Sequence, residues 1–180
     1  MADITAETVY LGAAVLCACA GAYCDYRSRR IPNWLTASAT LLGVLLHGAL
    51  GGWRSMGSAA LGGLVAGMAF LFFYVAGGMG GGDVKLMGAV GACAGLGHVV
   101  AILIATALMG GIFAVVVALA AGRLRQTLAN VIKLVVHHGS AGLRPHPEIN
   151  LENSRAVRLP YGIAIGAGTA VTLFGVLLAG

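Results

Sequence analysis

The chain has 180 residues, of which 59% are apolar and 9% charged, against roughly 25% charged in an ordinary soluble domain. That balance excludes a soluble enzyme or a nucleic-acid module. Eleven Lys and Arg against six Asp and Glu give a net charge of +5, yet placement says more than the sum. Between Thr8 and Pro147 the only carboxylates are Asp25 and Asp83.

A helix needs about 20 mostly apolar residues to cross about 30 Å of hydrocarbon. In chain order the sequence predicts spans at 7–24, 33–50, 56–76, 84–97, 98–121 and 159–179. The fold class expected is therefore all-α: one polytopic membrane domain, 1–180, with about six transmembrane helices. The first span carries Asp3 and Glu7 where a secretory signal would be basic, so it reads as uncleaved. The fourth has 14 residues and is glycine-rich, which suits a short or broken helix in a protein-lined interior.

Six crossings put Arg27, Arg29, Arg30, Lys85, Arg123, Arg125, Lys133, Arg144, Arg155 and Arg158 on one side and leave Arg54 on the other. The positive-inside rule makes the crowded side cytoplasmic, with both termini outside. One long polar interval, 122–158, lies on that side. In it Leu124, Leu128, Val131, Ile132 and Val135 recur at helical spacing, which predicts an amphipathic helix over 123–137 on the membrane face, followed by a loop over 139–147. A surface for anionic lipid or substrate and a simple membrane-hugging connector are both open readings of it.

Cys17, Cys19, Cys24 and Cys93 have neither zinc nor disulfide spacing and read as small apolar filler. His137, His138 and His146 read as solvated surface, and His47 and His98 receive no role. No metal or cofactor is expected. Ala59, Gly63 and Gly67, and likewise Gly162 and Gly166, form small-residue stripes of the kind that pack helices in lipid.

Asp25 closes the first span and Asp83 opens the fourth, so the six-span topology brings both to the cytoplasmic edge. An ionisable residue at such depth is a functional candidate, since a charge at a helix centre costs about 2.5–3.5 kcal/mol to insert. The bland alternative pairs Asp25 with Arg27 or Arg29, and Asp83 with Lys85. As a pair, two like charges about 4 Å apart would repel by about 4 kcal/mol at an effective dielectric of 20 and hold one shared proton near neutral pH. That is the equipment of an aspartic protease, in which one carboxylate activates water and the other, protonated, supports the oxyanion. Residues 77–82 hold five glycines, each costing about 1 kcal/mol in a helix relative to Ala. They predict a bent segment open to a substrate backbone. Asp83 at a helix start and Asp25 at a helix end feel opposite dipole fields, which makes Asp83 the expected more readily ionised member.

Met79-Gly80-Gly81-Gly82-Asp83-Val84-Lys85-Leu86 resembles the extended GxGD motif of the type IV prepilin peptidases, and Gly88-Ala89-Val90-Gly91-Ala92 continues the likeness. Asp25 followed by Ile31-Pro32-Asn33 is similar to that family's other signature, and Leu159-Pro160-Tyr161-Gly162-Ile163-Ala164 to its final-span segment. The resemblance implies a membrane-embedded aspartic endopeptidase of the bacterial inner membrane. It would remove the basic leader from prepilin or pseudopilin precursors at the cytoplasmic face, with the bilayer as its setting, no nucleic-acid partner and an oligomeric state left open. Asp25 and Asp83 match the family's catalytic pair.

Gly80, Gly82 and Lys85 are candidates for positioning substrate, although Lys85 equally admits orienting Asp83 or simply sitting at the interface. Pro32 is expected to stop helix before it and Asn33 to cap the next one. Larger members carry a cytoplasmic region with paired cysteines and also methylate the product. Here only Asp25 to Pro32 separates the first two spans, so methyl transfer does not carry over, and the chain looks more like the compact peptidases of Tad/Flp pilus systems. Archaeal preflagellin peptidases are compact too. The rival class is a polytopic ion or proton-coupled transporter using Asp25 and Asp83 as ligands or relays.

Overall fold

A computed structural model describes residues 2–142 and 160–179, and these are all helix and connecting turns. The 143–147 part of the expected 139–147 loop, His146, Arg144, Arg155, Arg158 and Leu159 lie outside the described residues. Six helices follow in order: α1 (Ala2–Ser28), α2 (Asn33–Val75), α3 (Gly81–Ala94), α4 (Leu96–Ala120), α5 (Leu124–Ala141) and α6 (Tyr161–Ala179). Four of them, α1, α2, α4 and α6, are long and apolar enough to cross a membrane.

The expected second and third spans belong to α2, which has 43 residues and one break, at Gly52 (φ 70°, ψ −167°). Eight residues of unbroken helix would separate His47 from Ser55 by about 12 Å, yet His47 Nδ1 and Ser55 Oγ are 2.8 Å apart. The chain doubles back at Gly52, whose positive φ a side chain would disfavour. The two arms, 33–51 and 53–75, run antiparallel.

Between the arms lies α3, only 14 residues long, or about 21 Å against the roughly 30 Å of hydrocarbon. It runs parallel to the first arm and antiparallel to the second, in backbone contact with both. A Cβ built on Gly43 would lie 2.9 Å from the Cys93 backbone, and one on Gly91 would lie 2.5 Å from the Gly62 carbonyl oxygen. Because α3 stops short, its end needs internal partners. The Cys93 carbonyl can only accept, so His47 Nε2 donates to it at 3.0 Å and Nδ1 accepts from Ser55. Leu96 N–H donates to Ser58 Oγ at 3.1 Å, and Tyr10 of α1 stacks on the His47 ring at 3.6 Å between centroids.

Antiparallel packing of α6 on α1 (Gly162 and Gly166 over Ala22 and Ala18) and of α4 on α6 (Thr106 against Gly168, Gly110 against the Tyr161 ring) completes the bundle. Leu11, Leu86, Met87, Val90, Ile102 and Ile165 are fully buried at its centre. Leu42, Leu64, Met68, Phe72, Val100 and Leu108 are more than half exposed on its outside, an apolar exterior suited to lipid rather than water. The chain is thus a multi-pass membrane protein.

Two helices end on the same device. Gly77 (φ 77°) after α2 and Gly122 (φ 65°) after α4 take left-handed backbone. Their N–H groups donate to Tyr74 and Leu119, and the next residues reach back to Phe73 and Ala118, closing Schellman turns. The glycine-rich run is accordingly only partly bent: Gly77–Gly80 form the turn, but Gly81 and Gly82 already belong to α3, where helix packing offsets their poor propensity. α5 ends four residues later than expected, at Ala141, taking in the start of the expected 139–147 loop. Its Leu128, Val131, Ile132 and Val135 are exposed on one stripe.

Candidate active site

Asp25 does not end its helix as expected: α1 continues to Ser28, because Arg29 N–H still closes a turn onto the Asp25 carbonyl at 2.8 Å before Arg29 takes φ 51°. Asp83 occupies the first turn of α3. One turn before Asp25, Gly21 lies directly against the Leu86 side chain, one turn beyond Asp83. Since α1 and α3 run antiparallel, that contact brings the two carboxylates to the same end of the same interface.

Each half-buried carboxylate is held through one oxygen by a glycine N–H. Gly80 N donates to Asp83 Oδ2 at 3.2 Å. Gly162 N donates to Asp25 Oδ2, also at 3.2 Å. The glycine allows this close approach: a Cβ at Gly162 would stand a tight 3.1 Å from Ala22 Cα and 3.3 Å from Asp25 Oδ2. It also changes the local field. Ile163 N–H donates to the Pro160 carbonyl at 3.2 Å as α6 begins, so the Gly162 N–H is one of the unpaired donors at a helix N-terminus. Asp25 therefore sits at the positive end of α6, which offsets the unfavourable end of its own helix.

The expected asymmetry, with Asp83 the more readily ionised, considered each carboxylate's own helix alone, whereas burial and the partner carboxylate act against it at Asp83. Asp83 lies outside the four spanning helices. Burial pushes its carboxyl up, to about 6; the Asp25 carboxylate reinforces the rise and the Gly80 N–H opposes it.

Neither carboxylate forms an ion pair among the described residues, so the bland pairings are absent. Arg27 Nη1 turns back to the Tyr23 hydroxyl at 3.3 Å. Lys85 Nζ donates to Asn33 Oδ1 at 2.9 Å rather than to Asp83. Asn33 does not cap α2 with its side chain: Pro32 holds the cap position and makes no side-chain bond there. Gly82 faces Ile31 at ordinary van der Waals distance.

Tyr161 completes the wall, its ring edge-on to Phe70 with centroids 6.1 Å apart and its hydroxyl against Gly110. Sequence reasoning missed Gly162 and Tyr161 as neighbours of the carboxylates. Pro160 before an apolar run signalled a helix start, but which carboxylate would meet that start is a tertiary fact.

The arrangement has two carboxylates facing a common end of the bundle, each oriented by a backbone donor and, among the described residues, unpaired with a cation. Two such carboxyl groups can accept and donate protons. A family model described as the type IV leader peptidase family matches residues 11–115, a stretch that contains both carboxylates. No curated protein and no solved structure matches the chain.

Proposed function

The chain belongs to the type IV leader peptidase family and is a prepilin peptidase; from that premise we propose that Asp25 and Asp83 are its catalytic pair and that it cuts the basic leader from prepilin-like precursors at the cytoplasmic face. The observation that carries this reading is the convergence of two carboxylates 58 positions apart, each fixed by a glycine N–H and neither paired with a cation among the described residues.

In this reading Asp83, whose carboxyl is raised by burial and by its neighbour, is the proton donor and Asp25 the base. Asp25 accepts a proton from water as the water oxygen attacks the scissile carbonyl, and Asp83 gives its proton to the developing oxyanion. Collapse of the tetrahedral intermediate breaks the C–N bond. The proton held by Asp25 passes to the leaving amine, while the intermediate's hydroxyl proton returns to Asp83. Water is consumed, and the products are the leader's carboxyl and the new amino terminus.

The cytoplasmic assignment rests on charge. Arg27, Arg29, Arg30 and Lys85 flank the site, and Arg123, Arg125 and Lys133 follow α4 beyond Gly110, which is level with Tyr161. Arg54 lies at the opposite end, beside the Gly52 turn and over the Trp53 ring. The short connector from Asp25 to Pro32 supports a compact, Tad/Flp-type peptidase whose substrates are small prepilins. Co-expression with candidate small prepilins tests this by the size shift of the product. Asp25→Asn and Asp83→Asn should each abolish the shift with the protein still inserted, and full processing by either variant would sink the assignment.

A further inference from the structure

Lys85 is two residues from Asp83, and two steps of about 100° carry its side chain about 200° around α3 from the carboxylate. It therefore leaves the helix on the face away from the pair and does not act on Asp83 directly. What it meets is Asn33, the first residue of α2, at 2.9 Å across 52 positions of chain. Beside that bond, Ile31 packs on Gly82, a Cβ on the glycine falling 3.5 Å from Ile31 Cβ. These two contacts join the connector that leaves Asp25 to the turn that carries Asp83. The Asn33 side chain is thereby committed away from the helix start, and Pro32 holds the cap position of α2 with no side-chain cap, a feature typically worth about 1 kcal/mol.

We propose that Lys85 and Asn33 form a clasp that fixes the 29–32 connector to the first turn of α3 and so sets the spacing of the two carboxylates. Both are positioning residues: Lys85 acts through Asn33 and makes no ion pair with the catalytic pair. The inference rests on the proposed roles of Asp25 and Asp83.

Three measurements on the full chain in membranes test it. Lys85→Met, which keeps the stem and removes the donor, and Asn33→Ala should each lower kcat by up to about a hundredfold, the scale of a small misplacement of reacting groups, with KM little changed. The double variant should be no worse than either single one. Asn33→Asp, which retains an acceptor for Lys85, should restore most of the rate.

Independently of activity, Ile31→Cys with Gly82→Cys, in a background with Cys17, Cys19, Cys24 and Cys93 changed to Ala, has Cβ spacing within the disulfide range. It should cross-link rapidly with Lys85 present and slowly with Lys85→Met. Multiplicative losses in the double variant, a KM effect confined to Lys85→Met, or cross-linking indifferent to Lys85 would each overturn the clasp. Cleavage surviving in Asp83→Asn would instead overturn the catalytic assignment, and the cross-linking result would stand apart from it.

Discussion

At the scale of single residues, the site depends on glycines whose value lies in what they do not carry. An alanine methyl at Gly162 would press on Ala22 Cα and Asp25, while one at Gly175, farther along the same helix, meets nothing within 4 Å. Gly162→Ala is expected to insert and fold but lose about tenfold or more in kcat, on the scale of small misplacements. Gly175→Ala should leave kcat unchanged and raise the thermal midpoint, since Ala is favoured over Gly in a helix by about 1 kcal/mol. Protonation gives a second test. With its carboxyl raised to about 6, Asp83 holds its proton to higher pH than an ordinary carboxylic acid. kcat/KM should therefore fall as pH rises through that region and the proton is lost. Removing the neighbouring charge with Asp25→Asn should move deprotonation of Asp83 to lower pH, seen as earlier loss of its protonated-carboxyl infrared band. The motif around Asp83 was legible because its residues are contiguous. Gly162, 137 positions from Asp25, was legible as a packing glycine and as part of the final-span segment, but not as a partner of Asp25.

At the scale of elements, apolar run length located the helices well, because lipid demands it of any span. Local pattern could not show that the expected second and third spans would join at a reversal of a single residue, Gly52, nor that α3 would be held backbone to backbone. Those outcomes depend on which glycines meet across the hairpin. Gly91→Ala would set a methyl 2.6 Å from the Ala66 Cβ and 2.5 Å from the Gly62 carbonyl. We expect a loss of about 1–3 kcal/mol, the usual range for overpacking, measured as a lower unfolding midpoint in detergent. α5 was legible by its period, and its exposed stripe belongs at the lipid boundary. A tryptophan replacing Val131 should be quenched by lipids brominated along their chains, whereas one replacing Lys133 on the opposite face should not.

For the whole molecule, charge placement predicted two ends before any contact was known, and the bundle keeps Arg54 apart from the cations around the site. In inverted vesicles of a cysteine-free variant, a membrane-impermeant maleimide should label Arg123→Cys and spare Trp53→Cys. What the sequence could not convey is how unevenly the molecule yields. α3 meets the α2 hairpin main chain to main chain, at Gly43 and Cys93 and at Gly62 and Gly91. Such atoms cannot rotate out of one another's way. Against α1 it presents instead the leucine at position 86, lying over Gly21, a side chain with other rotamers to adopt. α1 and α6 are likewise joined closely, through Gly162 and Gly166. The close packing thus divides into two units, one bearing Asp83 and the other Asp25, and compliance is expected in the seam between them at the Leu86 end. A substrate backbone bound between the proposed catalytic pair would enter at the seam expected to give most easily.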